Sequence, residues 1–269
     1  MTRTMDRLAW PSLWVATFVF VGWGLVPRAA LYTTVLSPAR LVALAALIKM
    51  ALLLLATRWS GRAWRSLEVG NPVRPAWRLL AAGLLCTLLG QAALAPYQLS
   101  GNESPFPSLA DLFYVAAYPL IAAALVMFIR AYADTGFPIG TRGERAAVLG
   151  AATAVCVALA VPALRPVIEA DAPAPAKALS AAYPLFDMAL LVPLVLLLRI
   201  TWRFRGGSLS AAWLAVLSGF VFLSAGDVLF AYFTALGRSG LDPFVHAAYI
   251  LAYGLVAVGA RRHLDLVRA

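Results

Sequence analysis

Charged side chains are scarce in this chain. They make up 13% of its 269 residues, whereas 62% of the residues are hydrophobic and the mean hydropathy is +0.83. Soluble domains carry about 25% charged residues, so this composition excludes an ordinary soluble fold. It predicts an all-α, polytopic membrane helix bundle. The net charge of +10 then indicates arginine-rich cytoplasmic loops, and nucleic acid is not an expected partner.

Cysteine and histidine are also rare, with two of each. Cys86 and Cys156 lie in apolar runs, which favours two small core side chains over a disulfide. A zinc site with three histidines is excluded because only His246 and His263 exist. These two are expected at opposite membrane faces, which excludes bis-histidine haem. Axial ligation by His246 alone stays open, so the cofactor is unknown.

Long apolar runs dominate what is present, and a spanning helix needs about 20 mostly apolar residues. The breaks between the runs are too short for a soluble domain, so we expect a single transmembrane domain over 1–269. No small-residue cleavage site follows the first run, which predicts a retained first helix. The eight predicted transmembrane helices are Pro11–Val26, Arg40–Thr57, Trp77–Pro96, Ser108–Tyr132, Arg145–Leu164, Ala178–Ile200, Ser208–Leu236 and Pro243–Ala260.

Basic residues divide unequally between the two sides of this arrangement. With eight spans, one side holds both termini and the loops after helices 2, 4 and 6, and it carries 16 arginines. The opposite side carries four arginines and Lys177. Because basic residues collect in cytoplasmic loops, the N- and C-termini are both predicted to be cytoplasmic.

A short sequence recurs along the chain. AAYPL occurs at Ala116–Leu120 and Ala181–Leu185, and a looser copy, LAYGL, occurs at Leu251–Leu255. The copies start 65 and 70 residues apart, which is the length of two spans with their loops. Helices 4, 6 and 8 are therefore predicted to be equivalent members of a parallel repeat of helical hairpins. The inverted repeats typical of many transporters are not seen.

Polar side chains concentrate in the half of the spans nearest the outer face, whereas the inner halves are almost purely Leu, Val and Ala. On helices 4 and 8 they recur at i, i+3 and i+7, which places them on one helix face. Ionisable groups in lipid are costly and mark functional sites. The pattern predicts an outward-facing pocket for a small molecule or a membrane lipid, lined by Gln91, Asp111, Tyr114, Tyr118, Tyr183, Asp187, Asp227, His246, Tyr249 and Tyr253.

Three of these acids also have structural interpretations. Ser108 and Asp111 fit the S-x-x-D capping box of a helix start. Asp187 becomes a first-turn acid if helix 6 begins at Pro184. Asp227 lies deep in a long span, so its alternative role is a hydrogen-bonded contact between helices.

Two basic side chains have alternatives as well. His246 lies one turn into helix 8 and fits an interface histidine as well as a ligand-binding one. Lys49 lies near the middle of helix 2. It either snorkels to the membrane surface or pairs with Asp187 or Asp227.

Three segments resemble a known family, the multi-helix membrane sensory region that precedes GGDEF diguanylate cyclase, EAL or histidine-kinase domains in many bacteria. In that family a PS-x-AD-x-x-Y segment, a YP-x-x-D segment and a GD segment follow one another in this order. The resemblance covers most of helices 4 to 8. The matching residues are Pro107, Ser108, Ala110, Asp111, Tyr114, Tyr183, Pro184, Asp187, Gly226 and Asp227.

This resemblance implies a multi-pass sensor of the bacterial inner membrane that binds a ligand and relays a signal to the cytoplasm. Such sensors usually pass their signal to a cytoplasmic enzyme domain in the same chain, whereas this sequence ends nine residues past the last predicted span. A cytoplasmic signalling protein, or an output domain outside this sequence, is therefore expected. An enzymatic activity of the chain itself is less expected than ligand binding.

Two alternatives stay open. Eight spans with paired intramembrane aspartates also resemble, more faintly, the lysoplasmalogenase family of membrane hydrolases. That resemblance implies acid–base chemistry by the carboxylates on a lipid substrate. The other alternative is a structural subunit of a larger membrane complex.

Overall fold

The computed structural model of the chain describes residues 2–26, 36–102, 104–136, 140–202, 207–237 and 242–268. Side chains are described from residue 13 onward within these ranges, except those of residues 159, 162, 163 and 268. The long elements of this part of the chain are all α-helices, as the composition predicts. They are α1 (Thr2–Leu25), α2 (Pro38–Ser66), α3 (Arg74–Ser100), α4 (Leu109–Asp134), α5 (Arg142–Glu169), α6 (Ala174–Trp202), α7 (Ser208–Ala235) and α8 (Asp242–Arg268).

Six of the described helices are long and apolar enough to cross a membrane, namely α2, α3, α4, α6, α7 and α8. The predictions of an all-α fold and of several membrane passes are therefore confirmed. The predicted spans Pro11–Val26 and Arg145–Leu164 lie on α1 and α5, and each includes side chains outside the described part of the chain. Within α1, the described apolar stretch is Leu13–Leu25.

Neighbouring residues determine where several helices begin and end. Ser108 and Asp111 form the predicted capping box at the start of α4. Thr141 and Glu144 form a second capping box at the start of α5. α3 ends at Ser100 and is capped by Gly101, whose φ of 72° lies in the left-handed region that glycine adopts at little cost. These caps give the polar helix ends partners near the surface of the bundle.

The six spanning helices close into a ring. α2 packs on α3, α3 on α4, α4 on α6, α6 on α7, α7 on α8, and α8 back on α2. α1 packs against α8 of this ring, and α5 packs against α6 and α7. One cluster of buried side chains joins all six spanning helices and includes Trp77, Phe128, Leu197 and Trp213.

Glycines allow two helix pairs to approach each other closely. A Cβ atom at Gly90 on α3 would lie 2.6 Å from the ring of Tyr114 on α4. A Cβ atom at Gly226 on α7 would lie 2.8 Å from the ring of Tyr249 on α8. Both distances are far below the optimum of about 3.5–4.0 Å between carbon atoms. Any larger residue would therefore displace the tyrosine ring.

α3 and α7 each have a second glycine seven residues earlier at the same interface. A Cβ atom at Gly83 would lie 3.3 Å from the carbonyl oxygen of Ala117, and one at Gly219 would lie 2.8 Å from that of Ala252. The α3–α4 and α7–α8 hairpins thus share one spacing of close contacts. Small residues at such positions let helix backbones come together where lipid leaves no hydrophobic drive between helices.

Replacing Gly219 by alanine tests this close packing. The added methyl group meets the carbonyl oxygen of Ala252 and the side chain of Val256, so we expect the unfolding free energy to fall by about 1–3 kcal/mol. Gly150→Ala on α5 is the control, because a Cβ there meets no described atom within 4 Å. Helix propensity alone favours that alanine by about 1 kcal/mol. Thermal unfolding in detergent micelles measures both variants, and an unchanged midpoint for Gly219→Ala contradicts the packing.

Candidate functional site

The first hydrogen bond of the site joins α4 to α6. Asp111 lies in the first turn of α4, where one carboxylate oxygen accepts the backbone N–H of Ser108. Its other oxygen accepts the hydroxyl of Tyr183 on α6 at 2.6 Å. Asp111 therefore has the predicted capping role and a site contact at the same time.

A second set of bonds lies about two helical turns further along α4. Tyr118 donates its hydroxyl to Asp187 on α6 at 2.8 Å, and the same hydroxyl lies 3.4 Å from a carboxylate oxygen of Asp227 on α7. Tyr249 on α8 donates its hydroxyl to the other oxygen of Asp227. Four helices meet through these bonds. We call the six bonded side chains the Asp–Tyr network, and they are Asp111, Tyr118, Tyr183, Asp187, Asp227 and Tyr249.

Asp187 and Asp227 form a carboxyl pair with an incomplete set of donors. Asp187 is fully buried, and its second oxygen has no donor among the described residues when both groups are ionised. The Tyr118 hydroxyl contacts an oxygen of each acid, so the two carboxyl groups lie side by side. Two ionised carboxyl groups cannot hydrogen-bond each other, whereas a hydrogen shared between them allows such a bond. A buried pair of like charges needs such a shared hydrogen, or a cation, to be stable.

Lys49 does not provide that cation through direct contact. It makes no salt bridge in the described part of the chain, so its predicted pairing with Asp187 or Asp227 is wrong. It also does not snorkel, since it is only 4% exposed. Its Nζ lies 5.7 Å from the centroid of the Tyr249 ring, where the face of the ring attracts a positive charge.

Aromatic rings connect the Asp111–Tyr183 bond to the bonds around Asp187 and Asp227. The Tyr183 ring lies edge-on to Tyr114 with centroids 6.4 Å apart, and 6.3 Å from the Tyr118 ring. Tyr253 stacks on Tyr249 at 6.2 Å with the ring planes 9° apart. Such aromatic pairs contribute about 0.5–1.5 kcal/mol beyond their burial. The rings therefore hold the hydroxyl groups in position.

Gln91 and His246 do not join these contacts in the described part of the chain. Gln91 donates its amide to Gln98 on its own helix at 2.8 Å. His246 lies edge-on to Phe20 of α1 with ring centroids 5.9 Å apart, and its Nδ1 is buried without a described partner. The ring contact places His246 between α8 and α1. The other eight predicted residues are linked by hydrogen bonds or ring contacts.

The alternative start of helix 6 at Pro184 is wrong. α6 begins at Ala174, so Asp187 lies thirteen residues inside the helix and is not a first-turn acid. Pro184 and Pro119 both lie inside continuous helices. Because proline lacks a backbone N–H, each removes one helical hydrogen bond beside the Asp–Tyr network.

A second buried polar cluster lies near the opposite end of the ring and was not expected from the sequence. Trp213 on α7 donates its indole N–H to the Tyr132 oxygen on α4 at 3.0 Å, and that hydroxyl lies 3.4 Å from Nε2 of His263 on α8. The predicted span ends at Ala260 and leaves His263 outside it, whereas α8 continues to Arg268 and buries His263. The apolar residues of the HLDLV sequence are the available signal for this continuation.

Other features of the surface lie apart from the network. A groove of about 720 Å³ is lined mainly by apolar side chains of α5 together with Leu185, and by none of the ten predicted site residues. Among the described residues, no three His, Cys, Asp or Glu side chains lie close enough together to hold a metal ion. The carboxyl groups of the network accept hydrogen bonds from three tyrosine hydroxyls, and as acceptors they suit a hydrogen-bond donor or a cation.

The fold and the buried polar contacts define a multi-pass helical membrane protein. No protein-family model matches the chain, and no curated protein or solved structure matches it. Its function is therefore inferred from its own contacts.

Removing the Tyr118 hydroxyl tests the bridge between α4, α6 and α7. Tyr118→Phe keeps the ring, but Asp187 loses its described donor, so we expect the unfolding free energy to fall by about 1–3 kcal/mol. Tyr97→Phe is the control, because Tyr97 is exposed near the end of α3, and we expect a change below about 0.5 kcal/mol there. Thermal unfolding in micelles compares the two, and equal midpoints would rule the bridge out.

Proposed function

We propose that this protein is a multi-pass membrane sensor in which the Asp–Tyr network responds to a ligand. The observation that carries the proposal is the meeting of three motif segments at one place. Asp111 of the first segment is bonded to Tyr183 of the second, and Asp187 of the second shares the Tyr118 hydroxyl with Asp227 of the third. Segments that resemble a sensory family and lie far apart in sequence thus form one set of contacts.

The network has a shallow part and a deep part. Asp111 and the partly exposed Tyr183 lie near the start of α4, whereas Asp187 is fully buried. A ligand that enters at the start of α4, which is predicted to face outward, meets the Asp111–Tyr183 pair first. Asp187, whose second oxygen has no described donor, lies deeper in the bundle than this pair. A small hydrogen-bonding or cationic molecule is the chemistry that competes for these carboxyl groups.

Exchange of hydrogen-bond partners gives such a ligand a way to move helices. The bonds tie α4, α6, α7 and α8 together, and Pro119 and Pro184 let two of these helices bend beside the network. A bend there changes the position of the arginine-rich helix ends, which are predicted to lie on the cytoplasmic side of a bacterial inner membrane. A cytoplasmic signalling protein, or an output domain outside this sequence, would read that change.

We further propose that the α3–α4 and α7–α8 hairpins are parallel repeats of one unit. The glycines that face tyrosine rings support this, since Gly90 lies against Tyr114 as Gly226 lies against Tyr249. In this correspondence Gln91, which follows Gly90, takes the place of Asp227, which follows Gly226. One hairpin then carries a neutral amide where the other carries an acid.

Native mass spectrometry of the full chain, purified from membranes, tests ligand binding. We expect an additional bound mass on the wild-type protein and its loss in Asp227→Asn, because that change removes a buried charge from the network. Asp134→Asn is the matched control, since Asp134 is exposed at the end of α4. A wild-type protein without a bound mass, or a mass retained in Asp227→Asn, counts against the sensor.

An intramembrane lipid hydrolase is the second candidate, and the closeness of Asp187 and Asp227 favours it. Two carboxyl groups that share a hydrogen are able to act as a base and an acid. One would activate water and the other would protonate the leaving oxygen of the lipid. The hydroxyls of Tyr118 and Tyr249 would orient Asp227 for that role.

Turnover separates the two candidates. The full chain is incubated with lysophospholipids and alkenyl ether lipids in mixed micelles, and products are followed by mass spectrometry. For a sensor we expect no protein-dependent product. A hydrolase would instead release product that falls by about 100-fold or more in Asp227→Asn and persists in Asp134→Asn. A structural subunit would give neither a bound ligand nor a product.

A further inference from the structure

A second site lies at the opposite end of the ring, between α2, α3 and α8. Eight buried side-chain nitrogen or oxygen atoms lack a hydrogen-bond partner among the described residues, and five of them belong to this end. Buried polar groups in native proteins are almost always hydrogen-bonded. Five unbonded atoms at one end of the bundle therefore indicate a hydrogen-bond partner that is not among the described residues. The five atoms form what we call the α2–α3–α8 junction, and they are Thr57 Oγ1, Ser60 Oγ, Arg74 Nε, Trp77 Nε1 and His263 Nδ1.

Packing brings the three helices together at this junction. The ring centroids of Trp77 on α3 and His263 on α8 are 4.6 Å apart. Ser60 shares a face of α2 with Ala56 and Ala63, and these two alanines belong to the same buried cluster as Trp77. The hydroxyl of Ser60 is therefore held on the side of α2 that faces the other two helices.

The other members lie one turn away on the same helices. Thr57 precedes Ser60 by three residues, and Arg74 precedes Trp77 by three residues, so each pair shares a helix face. Ser60 is fully buried, and Trp77 and His263 are 1% and 7% exposed. Arg74 is partly exposed, which opens the junction toward the end of the bundle.

Most groups of the junction are hydrogen-bond donors. Arg74 Nε and Trp77 Nε1 each carry a hydrogen and accept none. His263 Nε2 faces the hydroxyl of Tyr132, whose oxygen accepts the indole N–H of Trp213. A Tyr132 hydrogen directed at Nε2 places the ring hydrogen of His263 on Nδ1. These donors need acceptor atoms that the described residues do not supply.

The charge around the junction is positive. The guanidinium groups of Arg65 and Arg78 lie 5.7 and 5.9 Å from the Trp64 ring, next to the start of α3. α3 begins at Arg74, and no side chain caps this end. Because the N-terminus is the positive end of a helix dipole, that positive end lies beside Arg74. An anionic group rich in acceptor oxygens matches both the charge and the donors.

We propose that the α2–α3–α8 junction binds a phosphate group. Phosphate offers several acceptor oxygens to donors from three helices, and its charge matches that of Arg74. The group belongs either to an anionic phospholipid or to a soluble phosphorylated molecule, since both meet basic clusters at the cytoplasmic side of a membrane. The junction shares no residue with the Asp–Tyr network, so variants at one site test that site without changing the residues of the other.

The full chain in phosphate-free detergent, with its thermal unfolding midpoint as the readout, tests this proposal. One arm adds inorganic phosphate and compares it with sodium chloride at equal ionic strength. The other arm adds phosphatidylglycerol and compares it with oleate at equal charge. We expect the midpoint to rise by about 3 °C or more in one arm, and the responding arm identifies the source. No rise beyond the matched anion in either arm overturns the proposal.

Two variants separate binding from packing. Ser60→Ala removes a buried hydroxyl that has no described partner, so the midpoint without phosphate should stay equal or rise. The same variant should raise the phosphate or lipid concentration for half of the shift about threefold or more, and Arg74→Gln about tenfold or more.

Arg142→Gln is the matched control for charge, because it removes an exposed arginine at the start of α5, on the side that carries the excess of arginines. Its response should equal that of the wild type. Counting bound phosphatidylglycerol by native mass spectrometry gives a second readout that does not depend on unfolding. Equal responses of the wild type, Ser60→Ala and Arg74→Gln would mean that the junction binds no phosphate.

Discussion

Close backbone contact holds the helices of this bundle together, because lipid tails cover apolar side chains as well as another helix does. The contact between α7 and α8 shows how much depends on it. Gly226 lets the Tyr249 ring lie against α7, and the hydroxyl of that ring bonds Asp227, the next residue along α7. A side chain at Gly226 would displace the ring and take this donor away from the acid. The polar network therefore requires the glycine interface.

Features determined by neighbouring residues could be predicted from the sequence. The capping box of Ser108 and Asp111 depends on residues three apart, and six of the predicted spans follow from continuous apolar runs. The shared face of Asp111, Tyr114 and Tyr118 follows from helical spacing alone. These local rules hold in lipid because a membrane leaves a helix few other ways to bond its backbone.

Contacts between helices depend on rotation and neighbour order, which hydropathy does not contain. The sequence does not show that α4 packs on α6, and so it does not show that Tyr118 reaches Asp187. It offers Lys49 as a direct partner for the aspartates, although packing directs that charge to a tyrosine ring. The end of α8 is missed for another reason. Arg261 and Arg262 interrupt the apolar run, whereas the helical hydrogen bonds continue through them.

Three helices connect the Asp–Tyr network to the buried cluster at the other end at a constant spacing. The paired residues are Tyr118 and Tyr132 on α4, Asp227 and Trp213 on α7, and Tyr249 and His263 on α8, and each pair is 14 residues apart. Fourteen residues are nearly four turns, or about 21 Å, so each pair lies on nearly one helix face. A shift or rotation of α7 or α8, which have no proline between the paired residues, is then carried from one end to the other. α4 has Pro119 beside Tyr118, where a proline lets the helix bend. If a ligand at one end changes the affinity at the other end, the second ligand changes the affinity of the first by the same factor.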